Sequence, residues 1–365
     1  MKLAQTTYRG LLFSALTASL ALAACSSNPP TPVASPTQTV STTPTPPPPP
    51  PPHYNSLNGM IAPDGPVLAV KIDDTDAGHP QISVDQADVV YVEQVEGGLT
   101  RLAVIFSSKI PAQIGPVRSA RISDIDLLAQ YGKVAFAYSG AQTRMLPVIA
   151  AANLFNLGAE LESAALYQRD SSRYAPTNLL VNAPQLLAKA PGAAISHNVG
   201  WTFGDAPVGG QLLNSVSVTY PASSYKATWS DTEKRWLLDH DRRPDVAASG
   251  LRLGPATLVI QQVLMHASPY GDHLGNNTPM SETVGSGTGW ILRDGMSYAA
   301  TWTRKSLSDG THWRLADGTE IKFAPGPIWV FLTDRTRSPI FSRPAPPPSA
   351  TPTSPSATPS SSATK

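Results

Sequence analysis

Five arginines, Arg101, Arg118, Arg121, Arg169 and Arg173, fall at turns or on a strand within one stretch of the chain. A guanidinium is planar and permanently charged, and its fork of donors matches phosphate or carboxylate. Arg118 and Arg121 flank Ser119 just ahead of a helix start, where free backbone N–H groups already favour an anion. Arg169 and Arg173 bracket another turn. The acids that could orient these arginines or exchange protons with a ligand are Glu96, Glu93 and Asp73. The pattern suits an anion-binding cleft, and its alternative is a set of ion pairs that lock loops.

Other chemistry finds little support. There is no Gly-x-Ser-x-Gly elbow, no His-Glu-x-x-His, no cysteine pair and no phosphate loop of the Walker type. Gly285-Ser-Gly-Thr-Gly289 lies between β-rich runs and is read as a flexible turn. His266, Asp272 and His273 lack metal-ligand spacing and are read as an exposed loop. No cofactor and no metal is expected.

The elements that must carry the arginines are legible as local patterns. Residues 66–72 form an apolar run that reads as a buried strand, and a second strand covers 89–96. Gly97-Gly98 then separates it from 99–107, which predicts a hairpin with a two-residue turn. That turn would set Gln94 opposite Arg101, make Glu96 and Arg101 diagonal neighbours on one face, and send Glu93 to the other. Ser123 is the expected N-cap of a helix stopped by Gly132, followed by a strand at 133–138 and a helix at 141–153 kinked near Pro147. A strand at 178–182 and a helix at 184–189 close this half. From Trp201 on, short strands alternate with turns, with Asp294-Gly295 and Asp317-Gly318 as hairpin pivots. The expected fold is an α/β N-terminal domain with a mixed sheet, followed by a β-rich C-terminal half.

The ends differ in kind. Pro is 12 of the 27 residues between Ser26 and Pro52, without a single charge, and 7 of the 22 from Pro344 to Lys365. Neither tract has the apolar surface to offset the entropy of ordering, so both are expected to be disordered. Ahead of them a weakly basic start, the apolar run Leu11 to Leu22 and Leu22-Ala-Ala-Cys25 make a secretory signal with a lipobox. The run is too short to span roughly 30 Å of hydrocarbon. Cys25, the single cysteine, is the expected site of lipid attachment, with diacylglycerol and a further acyl chain such as palmitate. A polyproline spacer of that length reaches roughly 80 Å at about 3.1 Å per residue. The expected organisation is a signal peptide at 1–25, a Pro-rich linker at 26–53, an α/β domain at 54–192, a β-rich domain at 200–336 and a Ser/Thr/Pro tail at 344–365.

Four segments carry a family resemblance: Ala87-Asp-Val-Val-Tyr91, Val95-Glu-Gly-Gly-Leu-Thr-Arg101, Gly115-Pro-Val-Arg-Ser-Ala-Arg121 and Arg169-Asp-Ser-Ser-Arg173. They resemble the successive motifs of the YerB-like lipoproteins, a family with a two-part domain of unknown function. Gly285-Ser-Gly, Arg293-Asp-Gly and Thr301-Trp are similar to the pattern of its second part, so the resemblance runs from about residue 60 to 335. It implies an envelope lipoprotein and points to Glu96, Arg101, Arg118, Ser119, Arg121, Arg169, Arg173 and Asn178. Two departures stand out. The resemblance implies Ala-Arg-Pro-Gln where this chain has Gly78-His79-Pro80-Gln81, and Pro-His-Asn where it has Pro176-Thr177-Asn178.

The formal net charge of +1 excludes bulk electrostatic capture of nucleic acid. The reading is therefore a lipoprotein anchored to the cell membrane through Cys25 on the extracytoplasmic side, binding an anionic envelope polymer or precursor. The alternative is a phosphoryl or glycosyl-phosphate transferase or hydrolase using the same cleft, and a third is a scaffold acting through the β-rich half.

Overall fold

The computed structural model describes residues 51–272 and 274–345. The expectations for the signal segment, for Cys25, for most of the Pro-rich linker, for His273 and for the tail from 346 onward lie outside them. In the first half, β1 (Leu68–Asp73), β2 (Val89–Gln94) and β3 (Thr100–Phe106) precede α1 (Ile122–Leu128), β4 (Ala135–Tyr138), α2 (Leu146–Ala151) and β5 (Phe155–Gly158). β1 is buried at every position, as its nearly unbroken apolar run requires of a strand covered on both faces. Both helices are short. α1 begins one residue before the expected cap: the Arg121 N–H donates to Asp124 Oδ2 at 2.6 Å, while Ser123 is buried inside the first turn and accepts from the Ser281 N–H. A 3-10 turn, Ala129–Tyr131, extends α1 to Gly132, whose positive φ of 77° ends it as expected.

The second half is built of β6 (Ser215–Thr219), β7 (Ser224–Ser230), β8 (Arg235–His240), β9 (Thr257–Gly271), β10 (Asn277–Glu282), β11 (Gly285–Arg293), β12 (Met296–Arg304) and β13 (Ile328–Asp334), with shorter strands between. Asp294 and Gly295 both take positive φ in a two-residue turn, with Arg293 opposite Met296, as the Asp-Gly pair predicts. The segment 285–289 is strand rather than flexible turn. Its glycines let neighbours approach, since a Cβ at Gly289 would stand 2.1 Å from the Ile260 carbonyl oxygen.

The halves share one mixed sheet. β13 lies between β2 and β9 and is parallel to both, with Val89 and Thr257 each opposite Ile328. From there the order runs β13, β2, β3, β1, β4, β5 on one side and β13, β9, β11, β12 on the other. Its two faces hold separate cores. One packs Leu68, Val70, Val92, Trp329 and Phe331 against Tyr225, Trp236 and Leu238 of the smaller sheet that contains β6, β7 and β8. The other packs Ala69, Tyr91, Ala103 and Val330 against Leu127, Leu128 and Tyr131 of α1 and its extension, beside Trp302 and Trp313. The sites lie where β1, β2 and β3 end, because there the turns of both halves meet.

Candidate functional site

The turn that follows β2 departs from expectation by one residue. Val95 N–H donates to the Leu99 carbonyl at 2.8 Å, so the loop is Glu96–Gly98, and the register sets Glu93 opposite Arg101 and Gln94 opposite Thr100. Glu93 therefore shares a face with Arg101, and Glu96 is not its diagonal neighbour. Glu96 instead accepts from Arg121, through Nε at 2.8 Å and through Nη2, and from Thr278 Oγ1. Burial is the largest single influence and works to raise the Glu96 pKa, but the Arg121 charge and the hydrogen bonds from Arg121 and Thr278 together outweigh it and hold the carboxylate below its ordinary value.

Arg101, Arg118, Ser119, Arg121 and Glu96 line one cavity of about 690 Å³. Each guanidinium is placed differently. Arg118 donates through Nε to Asp73 Oδ2, whose other oxygen accepts from the Thr75 N–H at 2.8 Å. Among the described residues its two Nη groups have no protein acceptor. Arg101 has no carboxylate on it; Nη1 donates to the Ser119 carbonyl at 3.1 Å. Burial, and then the neighbouring charges of Arg121 and Arg118, pull Arg101 down to about 9. Three cations thus crowd a recess in which Asp73 and Glu96 each neutralise one. Thr278, Tyr270 and Asp272 of the second half form the facing wall, so the cavity is built by both halves.

Other expected site residues serve different ends. Arg173 is not on this cavity. Its guanidinium donates to the carbonyls of Gly78 and Pro80 and pairs with Asp170 at 3.3 Å, tying two loops together. Arg169 donates to Asn178 Oδ1 at 2.7 Å, and Asn178 in turn holds the Asp170 and Arg173 carbonyls, so these two staple the same turn. Glu93 is sealed beneath α1. With Asp124 it flanks the buried Lys71 ammonium, Asp124 at 2.7 Å, and burial followed by the Asp124 charge pushes the Glu93 carboxyl up. That group is buried within the fold and is not among the residues that line the cavity. His266, expected in a loop, is on β9 and pairs with Glu282 at 2.7 Å.

With this geometry in view, comparison with known proteins is informative. Residues 56–196 match the N-terminal domain, and residues 216–330 the C-terminal domain, of the protein family of unknown function DUF3048. The chain belongs to the DUF3048 family. It is similar to the Bacillus subtilis (strain 168) protein named "Putative lipoprotein YerB", 41% identical over 54 residues; the stretch spans 15% of this chain and 16% of that protein's length. The crystal structure of the YerB protein from Bacillus subtilis has the same fold, with a TM-score of 0.68 at 18% identity, and the match covers 80% of this chain and 100% of that one.

Within this DUF3048 chain, two sets of residues escaped the sequence. Gln142 lines the arginine cavity with a buried Oε1 that has no hydrogen-bond partner, and nothing in its surroundings in the chain marks it. The second set is a polar cluster on the opposite face of β1. Asp74 accepts from Tyr225 Oη at 2.7 and 2.8 Å, from Thr100 Oγ1 and from Gln81, and His79, His240 and Asp245 gather around it. Burial keeps the Asp74 carboxyl above its ordinary value even though His240 and His79 pull it down. The four residues come as two close pairs, Asp74 with His79 and His240 with Asp245, from distant parts of the chain, so no local spacing could announce their meeting. Among the described residues no helix is long and apolar enough to cross a membrane.

Proposed function

We propose that this DUF3048 chain is a lipid-anchored protein of the extracytoplasmic face of the cell membrane, held through Cys25, which binds an anionic envelope ligand in the Arg101, Arg118 and Arg121 cavity. The reading rests on one observation above all: three guanidinium groups share a recess in which Arg118 is paired with Asp73 and Arg121 with Glu96, while Arg101 has no ion pair among the described residues. An incoming phosphate or carboxylate would give Arg101 a counter-charge and meet the open Nη donors of Arg118 and the Ser119 hydroxyl. The lipobox at Cys25 and the name of the Bacillus subtilis relative support the anchor.

Binding fits better than turnover. Asp73 and Glu96 are already committed to Arg118 and Arg121, and Asp272 accepts hydrogen bonds from the amides of its own loop, so none of these three acids is free to act as a base toward the Ser119 hydroxyl.

The test is thermal stabilisation of the full chain by a polyglycerol phosphate oligomer, a polyprenyl phosphate in micelles and a peptidoglycan stem peptide. One of them should raise Tm, and Arg101→Gln should weaken that ligand by roughly ten- to hundredfold, the equivalent of one charge-assisted hydrogen bond. Silence from all three, or an unaffected Arg101→Gln, overturns the reading. For the anchor, a processed Cys25→Ala protein should leave the membrane fraction; retention there contradicts it.

A further inference from the structure

Behind the arginine cavity, Asp74, His79 and His240 bring their donor atoms together from both halves, and Asp245 stands against His79. Asp74 follows β1, His79 lies in the next turn, His240 ends β8 and Asp245 comes shortly after it. His79 Nε2 stands 3.6 Å from Asp74 Oδ1 and 3.5 Å from Asp245 Oδ1, and His240 Nε2 is 3.7 Å from Asp74 Oδ2. We infer that Asp74, His79, His240 and Asp245 form a binding site for one divalent transition-metal ion of the zinc type.

The spacing fits. Metal bonds of roughly 2.0–2.2 Å in a tetrahedral arrangement put neighbouring donor atoms roughly 3.3–3.6 Å apart. Asp74, His79 and His240 each present one donor atom within 4.8 Å of the others. Two imidazoles with two carboxylates form a donor set of the kind that borderline divalent ions take.

The charge fits as well. Asp74 and Asp245 are each 2% exposed, and among the described residues neither is paired with a lysine or an arginine. Asp245 has only the 3.5 Å contact of Oδ1 with His79 Nε2, and its other oxygen is buried without a partner. A buried carboxylate so thinly compensated is costly, and a dication at this point would relieve it and neutralise Asp74 as well.

The surrounding groups orient the ligands. In His79, Nδ1 donates to the Thr75 carbonyl at 2.9 Å and so leaves Nε2 facing Asp74 and Asp245; on loss of its proton that nitrogen would be free for an ion, the arrangement common to metal-binding histidines. Tyr225 and Thr100 hold Asp74 from behind. Gln81 Nε2 at 2.9 Å from His79 and Ser223 Oγ at 3.0 Å from His240 occupy the two Nε2 atoms in the metal-free arrangement. Turning the Gln81 amide over would offer the ion Oε1, which is buried without a partner. An entry path exists: a second cavity of about 430 Å³ is lined by His79, His240 and Asp245, with Asp76 and Arg243 at its edge.

The experiment uses the full chain as Cys25→Ser, which removes the one thiol that would compete for metal, stripped with EDTA and titrated with Zn²⁺ and Co²⁺. One equivalent should bind, Tm should rise, and Co²⁺ should give the visible d–d absorption of a nitrogen- and oxygen-ligated ion. His240→Gln and Asp245→Asn should each weaken binding by about a hundredfold or more, beyond the usual loss from an outer-shell change. His266→Ala, at the surface pair with Glu282, should leave it unchanged. The inference is overturned if the folded parent chain binds neither ion, if binding survives His240→Gln or Asp245→Asn, or if His266→Ala removes it. The parent titration and Co²⁺ spectrum decide the matter should a variant fail to fold, and the outcome is independent of ligand binding in the arginine cavity.

Discussion

Asp73 and Asp74 are neighbours in the chain, yet they serve opposite faces of the central sheet: Asp73 accepts from Arg118 Nε, and Asp74 from Tyr225 Oη. Successive side chains of an extended backbone point to opposite sides, so one dipeptide braces both polar sites. Gly78 packs against this pair, where a Cβ would stand 2.6 Å from Asp73 Oδ1.

The three cavity arginines should differ in what their removal does to stability. Arg118→Gln and Arg121→Gln each leave a buried carboxylate without its cation and should lower stability by about 1–3 kcal/mol. Arg101→Gln removes a half-buried cation with no carboxylate on it and should leave the urea midpoint unchanged or raise it. Equal losses for all three would contradict the assignment of Asp73 to Arg118 and Glu96 to Arg121.

Glu96 should make the protein sensitive to acid. Its folded-state pKa lies below its ordinary value of 4.5, so its contribution is fully present above that value and is lost as pH falls through the folded value. In Glu96→Gln, the fall in Tm on acidification below 4.5 should be shallower than in the parent chain. Parallel Tm curves would place the acid-sensitive group elsewhere.

Lys71 is the keystone of a buried triad. Lys71→Met strands Glu93 and Asp124 beneath α1 and should cost about 3–5 kcal/mol in denaturant unfolding. Adding Glu93→Gln should recover part of that loss, because it removes one of the two stranded charges. No recovery would mean that the methionine, and not the charge imbalance, is at fault.

The Glu96–Gly98 turn offers a comparison between adjacent glycines. Both have positive φ, 66° at Gly97 and 76° at Gly98. A Cβ at Gly97 meets nothing within 4 Å, so Gly97→Ala should cost only the left-handed conformation, about 1–2 kcal/mol. At Gly98 a Cβ would stand 2.4 Å from Pro221 Cβ, so Gly98→Ala should lower Tm by a clearly larger amount. Equal losses would show that Gly98 and Pro221 are not held in contact.

Much of this molecule could be read residue by residue along the chain. The buried run of β1, the Gly132 stop of α1, the Asp294-Gly295 turn and the change from mixed to β-rich structure near Trp201 all follow from short-range pattern. Backbone preference and apolar periodicity act over a few residues, so a sequence displays them directly. The turn after β2 lay beyond that reach. Gly-Gly suits a loop of two or of three residues, and the contacts on the three-residue form come from far away: Pro221 against Gly98, Arg121 and Thr278 on Glu96. One residue of register then decided whether Glu93 or Glu96 faced which arginine. The parallel pairing of β2 with β13, the withdrawal of Arg173 into a loop staple and the meeting of Asp74 and His79 with His240 and Asp245 likewise depend on contacts between distant segments. Such contacts are chosen by how the whole sheet buries its two faces, and no local run of residues carries that information.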